Sequence, residues 1–195
     1  MNRVVLLIGG NQGDRFRLIE QATEQIRQRI GSVVALSRIY ETAPWGRFDS
    51  PTPNFLNRAL LVATSLAPLE VLREALAIEA SLGRIRPSTP FPLRGTPPVS
   101  GGELLSQSGC SPETGELSEG LRGGLKEQPQ RTYHSRPMDI DIIFYDDLVV
   151  DTPELTLPHP RMHLRRFVLE PLVEIMPDYV HPLLHKTMKQ LLDEI

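Results

Sequence analysis

The apolar positions of the chain follow two alternating periods. Val4-Val5-Leu6-Leu7-Ile8 is a continuous branched run stopped by Gly9-Gly10, the pattern of a strand buried on both faces. After the turn Asn11-Gln12-Gly13-Asp14 the period becomes helical, with Leu18, Ile19, Ala22, Ile26 and Ile30 on one side and Asp14 placed as cap. Residues 33–41 predict a second strand, broken by Ala43-Pro44-Trp45-Gly46, and residues 55–64 a third, in which period two puts Phe55 and Asn57 on one face. Pro68 and Gly83 bracket a second helix whose buried side draws on Leu69, Leu72, Ala75, Leu76 and Ala80. Leu148-Val149-Val150 is expected to return beside the strand before it, Leu155-Thr156-Leu157 to form a short extended piece, and residues 167–175 and 186–195 to form two further helices. His181 and His185 read as surface positions.

The strand before Leu148 is unusual. In Arg136-Pro137-Met138-Asp139-Ile140-Asp141-Ile142-Ile143-Phe144-Tyr145, alternation points Asp139 and Asp141 to one face and Met138, Ile140, Ile142 and Phe144 to the other. Two carboxylates on one rigid face repel, and protonation of one or a divalent cation relieves the repulsion. Magnesium suits such a pair, since it takes one or two protein carboxylates together with substrate phosphates. A solvated pair on a half-exposed strand fits the same dipeptide spacing. Farther on, Pro158 to Phe167 gathers two histidines and three arginines, a composition suited to clamping a triphosphate. A zinc reading of His159 and His163 has no third ligand at a supporting spacing. Gly9-Gly10-Asn11-Gln12-Gly13 lacks the P-loop lysine and the dinucleotide spacing, and reads mainly as close backbone passage.

Composition narrows the class. With 195 residues, 40% hydrophobic and 23% charged, the chain is expected to form a single domain over residues 1–195. Its net charge of -3 argues against a nucleic-acid partner. The lone Cys110 cannot make an internal disulfide, and the first apolar run is too short for a signal or membrane segment, so a cytoplasmic chain is expected; a monomer is expected as a separate reading. Residues 88–132 are rich in glycine, proline and serine without sustained apolar period and are expected to be a flexible insert.

Taken together, Gly9-Gly10-Asn11, Tyr40-Glu41-Thr42-Ala43-Pro44-Trp45-Gly46, Asn54-Phe55-Leu56-Asn57, Glu79 with Gly83-Arg84-Ile85-Arg86, the Arg136 to Asp141 stretch and Pro158-His159 through Phe167 resemble, in order, the motifs of the 6-hydroxymethyl-7,8-dihydropterin pyrophosphokinase family. The resemblance implies an α+β fold, a ferredoxin-like three-layer α-β-α arrangement with a largely antiparallel sheet. It implies transfer of the diphosphoryl group of ATP to the pterin hydroxymethyl group in folate biosynthesis, with release of AMP. By the same resemblance Asp139 and Asp141 hold two magnesium ions, and Arg84 and Arg136 join them as catalytic groups. Thr42, Pro44, Trp45, Phe55, Asn57, Tyr133 and Phe167 bind the pterin. Leu72, Glu79, Arg84, Arg86, Arg136, Ile142, His159 and Arg165 bind ATP. Three positions depart from the usual pattern: Gly10 for a frequent serine, Phe55 for tyrosine and Tyr133 for tryptophan. The insert replaces a short link in the family's mobile catalytic loop. Two rivals remain at this stage: a nucleotidyltransferase, whose glycine pair and Asp-x-Asp lie close in sequence, and a non-catalytic nucleotide or pterin binder.

Overall fold

The computed structural model describes residues 1–45, 52–84 and 135–195. Gly46, Arg86, Tyr133, Cys110 and the 88–132 insert lie outside them. Strand β1 (Asn2–Gly10) leads through the Asp14 cap into α1 (Arg15–Arg29), then β2 (Ser32–Leu36), β3 (Tyr40–Thr42), β4 (Phe55–Thr64), α2 (Pro68–Ser81) and β5 (Asp139–Tyr145). The short strands β6 (Val150–Asp151) and β7 (Thr156–Leu157) follow, then a single 3-10 turn at Met162–Leu164, α3 (Arg166–Ile175) and α4 (Met188–Asp193). The main sheet is ordered β2-β4-β1-β5, with β3 also pairing β4, and its ladders are antiparallel. Helices α1 and α2 pack on one face and α3 and α4 on the other, so the expected three-layer α+β sandwich is what forms.

Local chemistry explains the elements. Asp14 accepts the Arg17 N–H at 3.1 Å, and α1 buries Ile19, Ala22 and Ile26. Pro68 opens α2, and Glu70 accepts the Ala67 N–H at 2.7 Å. Gly83, at φ +92°, ends that helix in a conformation open to glycine, and the turn lets Arg84 N–H return to the Glu79 carbonyl at 3.0 Å. Arg84 is thereby delivered beside β5.

Several expectations needed correction. The strand expected over residues 33–41 is two strands, because the Ser37 hydroxyl oxygen accepts the Ala59 N–H and the Arg38 N–H turns to Glu174 of α3. In α2 the buried residues are Val71, Ala75, Ile78 and Glu79, while Leu69 and Ala80 are exposed; a carboxylate on the inner face hid the true phase. Phe144 does not share the Ile140–Ile142 face. The β1–β5 register shifts between Val5 and Leu6, and the extra residue sends Ile143 and Phe144 together into the α3/α4 layer. Residues 150–151 pair with 156–157 rather than with β5, since Asp146, at φ +43°, is tied to Arg3 in both directions and turns the chain away. His181 is buried, edge-on to Phe144 at 5.5 Å, with Nδ1 accepting from the Leu183 and Leu184 amides. Burial lowers its pKa below the ordinary histidine value. His185 is exposed, as expected.

Candidate active site

Three neighbouring rows of the ladder make the floor of a cavity on the α3 side of the sheet. Thr42 of β3 stands opposite Phe55, Asn57 of β4 opposite Gly9, Gly9 of β1 opposite Asp139, and Leu7 opposite Asp141. The missing side chain at Gly9 is what keeps the floor open: a Cβ there would lie 2.5 Å from Asn57 Oδ1. Gly10 answers to a different neighbour, because its Cβ would run into the Pro137 carbonyl oxygen. The close backbone passage expected of this glycine pair is therefore real, and Gly9 adds a ligand-facing surface.

The cavity is lined by Leu7, Gly9, Thr42, Ala43, Trp45, Phe55, Asn57, Arg136, Asp139, Asp141, Arg165 and Phe167. Its acidic end is built by β5. Asp139 Oδ2 meets Arg136 Nη2 at 3.0 Å, and Asp139 Oδ1 meets Arg84 Nη1. Arg84 Nη1 also donates to Glu79 Oε1 at 2.7 Å, and the same oxygen accepts the Ile140 N–H at 2.8 Å. Glu79 is 1% exposed and thus bridges α2, β5 and Arg84. Arg136 Nε is buried with no hydrogen-bond partner among the described residues, which leaves donor capacity for an incoming oxygen. Burial, and then the neighbouring charge of Asp139, raise the Asp141 carboxyl to about 7, partly opposed by Arg136 and Arg165.

The other end is aromatic. Trp45 and Phe167 stand 6.5 Å apart between ring centroids, tilted by 58°. The Arg165 guanidinium lies 4.8 Å from the Trp45 centroid and 5.6 Å from that of Phe167. Asn57, 4% exposed, donates through Nδ2 to Thr42 Oγ1 at 2.8 Å. That bond fixes the carboxamide, leaving Oδ1 turned to the gap at Gly9 as an acceptor. Flat rings and one oriented amide suit a heterocycle with a hydrogen-bonding edge.

Not every expected residue reaches this cavity. Pro44 sits between two lining residues, whereas Leu72 and Ile142 pack in the α1/α2-side core. The cluster of histidines and arginines disperses: Arg161 is exposed, and Arg166 turns to Glu170 and the Ile195 carbonyl. His159 anchors its loop by donating its N–H to the Ile143 carbonyl at 3.0 Å. Burial, with Arg165 second, lowers its pKa to about 4, so it is neutral at pH 7 and adds no positive charge. Arg165 remains as the cation of that loop on the cavity wall. Among the lining residues, Leu7 and Ala43 are not among those expected from the sequence. Leu7 could have been found by period two from Gly9, but nothing local in the sequence marks the stacking of Arg165 on Trp45.

Among the described residues no group of three or more His, Cys, Asp or Glu is arranged around a metal, so a closed protein cage is not formed there. The Asp139–Asp141 pair instead matches a cation that draws most of its ligands from substrate and water. Opposed carboxylates and guanidiniums beside an aromatic slot are the arrangement of a group-transfer site. Comparison with known proteins makes the class particular. The model of the family described as 7,8-dihydro-6-hydroxymethylpterin-pyrophosphokinase (HPPK) matches residues 5–94 and 118–177. A 2-amino-4-hydroxy-6-hydroxymethyldihydropteridine pyrophosphokinase of Porphyromonas gingivalis is 36% identical over 92% of this chain and 93% of its own. One from Synechocystis is 30% identical over 98% of this chain and 75% of its own. The solved HPPK-DHPS of Plasmodium falciparum shares the fold at a TM-score of 0.62 and 15% identity, covering 100% of this chain, which spans 43% of that longer one. The chain belongs to the 7,8-dihydro-6-hydroxymethylpterin-pyrophosphokinase family and is a pyrophosphokinase of folate biosynthesis. No helix among the described residues is long and apolar enough to cross a membrane.

Proposed function

We propose that the cavity binds ATP and 6-hydroxymethyl-7,8-dihydropterin side by side and moves the β,γ-diphosphoryl group to the pterin hydroxyl, releasing AMP. The observation that carries this is the shared wall: Asp139, Asp141 and Arg136 line the same cavity as Phe55, Asn57, Trp45 and Phe167. The pterin ring lies between Phe55 and Phe167, its amide edge read by Asn57 and by backbone groups from Thr42 to Trp45; Tyr133, outside the described residues, is a further pterin-binding residue by resemblance. Asp139 and Asp141 are the ligands for two magnesium ions. The donor set fits, because one buried carboxyl raised to about 7 beside a second is a pair that a hard divalent cation relieves. Neutralising and aligning the phosphates is the chemistry that magnesium supplies when bound.

The protein groups act around that charge. Arg84 and Arg136, both held on Asp139, are the guanidinium donors nearest the transferred group; Arg165 on the cavity wall, and Arg86 by resemblance, are further ATP-binding arginines. Their value is greatest where charge develops, so they accelerate transfer more than they tighten binding. Glu79, although matched to a nucleotide position, supports Arg84 from below. His159 serves as a neutral hydrogen-bonding group. The chain works as a cytoplasmic monomer whose single domain, residues 1–195, is interrupted by the 88–132 insert; family matches on both sides of residues 95–117 support one domain.

The test is a product assay with purified protein, magnesium, ATP and the dihydropterin, separating nucleotides over time. Pterin-dependent AMP is expected. Release of pyrophosphate with an adenylylated pterin would replace the reading by nucleotidyl transfer, and tight binding of both substrates without product would replace it by a binder.

A further inference from the structure

Asn11 contributes no atom to the cavity wall, yet it is 2% exposed and every polar atom of its side chain is committed. Its main-chain N–H donates to the Arg136 carbonyl at 3.0 Å, and its Oδ1 accepts the Arg136 N–H at 2.8 Å. Its Nδ2 donates to Ser135 Oγ at 3.1 Å and to the Pro53 carbonyl at 3.4 Å. One residue at the end of β1 therefore holds both main-chain polar groups of Arg136 and also touches the segment entering β4. A flipped carboxamide would set donor against donor at Arg136, so the orientation is determined by the partners. The adjacent Gly10, which lets the Pro137 carbonyl approach, brings the two segments close enough for these bonds.

We propose that Asn11 is a positioning residue for the transfer reaction: by gripping the backbone of Arg136 it fixes where that guanidinium stands against Asp139 and the reacting phosphates. The proposal rests on the reading of Arg136 as a catalytic arginine. Arg136 sits just before β5, where its neighbours are Ser135 and Pro137 and the ladder of β5 has not begun. The Asn11 bonds are what extends the ladder's rigidity backward to it. Losing the side-chain bonds leaves only the main-chain Asn11 N–H on the Arg136 carbonyl and lets a long side chain wander, and small displacements of a catalytic group are costly to rate while ground-state binding is spread over many contacts.

The experiment is a double-mutant cycle on the full chain, with kcat and both KM values measured for wild type, Asn11→Ala, Arg136→Ala and the double variant, each with a thermal melt. Asn11→Ala is expected to lower kcat by about ten- to a hundredfold with KM values changed by no more than about threefold. In the Arg136→Ala background the same change is expected to cost almost nothing, because the group it positions is gone. If Asn11→Ala does not fold, Asn11→Ser, whose shorter side chain does not extend as far as Oδ1 toward the Arg136 N–H, takes its place in the cycle. Independent, multiplying losses, or a loss confined to KM, would overturn the positioning role while leaving Arg136 catalytic. A full-rate Arg136→Ala would overturn the reading of Arg136 itself.

Discussion

The two faces of the main sheet are built by alternate residues of the same strands. On the α1/α2 side, Val4, Leu6 and Ile8 of β1 meet Ile140 and Ile142 of β5 and close against Ile19, Ile26, Val71 and Ile78. On the α3/α4 side, Val5, Ala59, Ile143 and Phe144 are covered by Leu169, Leu172 and Met188; Leu7 belongs both to this layer and to the cavity wall, and the next positions along, Gly9, Asn57, Asp141 and Asp139, line the cavity. One face is core from end to end. The other is core for half its length and chemistry for the rest. The contrast shows where the desolvation at Asp141 comes from: its register partner is Leu7 and the next residue on its side is Ile143, so the carboxylate stands at the edge of a packed apolar layer. A site on a separate loop would not have that low-dielectric wall.

The contrast breaks most sharply at β5. Asp139→Ala or Asp141→Ala is expected to cut the rate of AMP formation on the order of a thousandfold or more; the melting temperature is held or raised in Asp141→Ala, which removes a like charge from a crowded face, and falls in Asp139→Ala, which leaves Arg84 and Arg136 without their shared carboxylate. A residual rate within about tenfold of wild type would remove the site assignment from that face. The opposite result is expected across the sheet. Leu6→Ala, at a position with no exposure between α1 and β5, should cost about 2–5 kcal/mol in denaturant unfolding while kcat per folded molecule stays near wild type. A large fall in kcat of the folded Leu6→Ala protein would mean that the two faces are not separable.

Both faces were partly readable in the sequence, for different reasons. Period two over Phe55 and Asn57 and over Asp139 and Asp141 put the right residues on one side, since the alternation of a strand is geometric and survives any packing. The strand–helix order was legible because its punctuation is local: Asp14, Pro68 and Gly83 act on their own neighbours. What failed depended on distant partners. The bulge that sends Phe144 to the other layer answers to the register with β1, and the burial of His181 answers to Phe144 and to the loop at Leu183 and Leu184. The arginine-rich stretch from 158 to 167 promised several cations, yet a 3-10 turn and the start of α3 aim Arg161 and Arg166 away and leave Arg165 on the wall. Composition counts charges and does not aim them.

The finest test of the contrast uses pH. In the folded protein the Asp141 carboxyl is raised to about 7 by burial and then by Asp139, while in the unfolded chain it returns to the ordinary aspartate value of 3.8. Between those values the folded state holds a proton that the unfolded state has released, so this group contributes stability below about 4 that is lost as pH rises through about 7. Other carboxylates titrate at low pH as well, and the difference between wild type and Asp141→Asn isolates the one group. With metal removed by chelator, Asp141→Asn is expected to exceed wild type in stability at pH 8, with the gap closing steadily toward pH 5. Added magnesium should stabilise wild type at pH 8 and leave Asp141→Asn nearly unmoved, since binding to the folded state alone adds stability by mass action. A gap that does not change with pH would mean that Asp141 is solvated like an ordinary surface aspartate. In that case the apolar layer reaching from Val5 to Ile143 would end short of the site, and the second face would be two unconnected regions rather than one surface that turns from packing to chemistry.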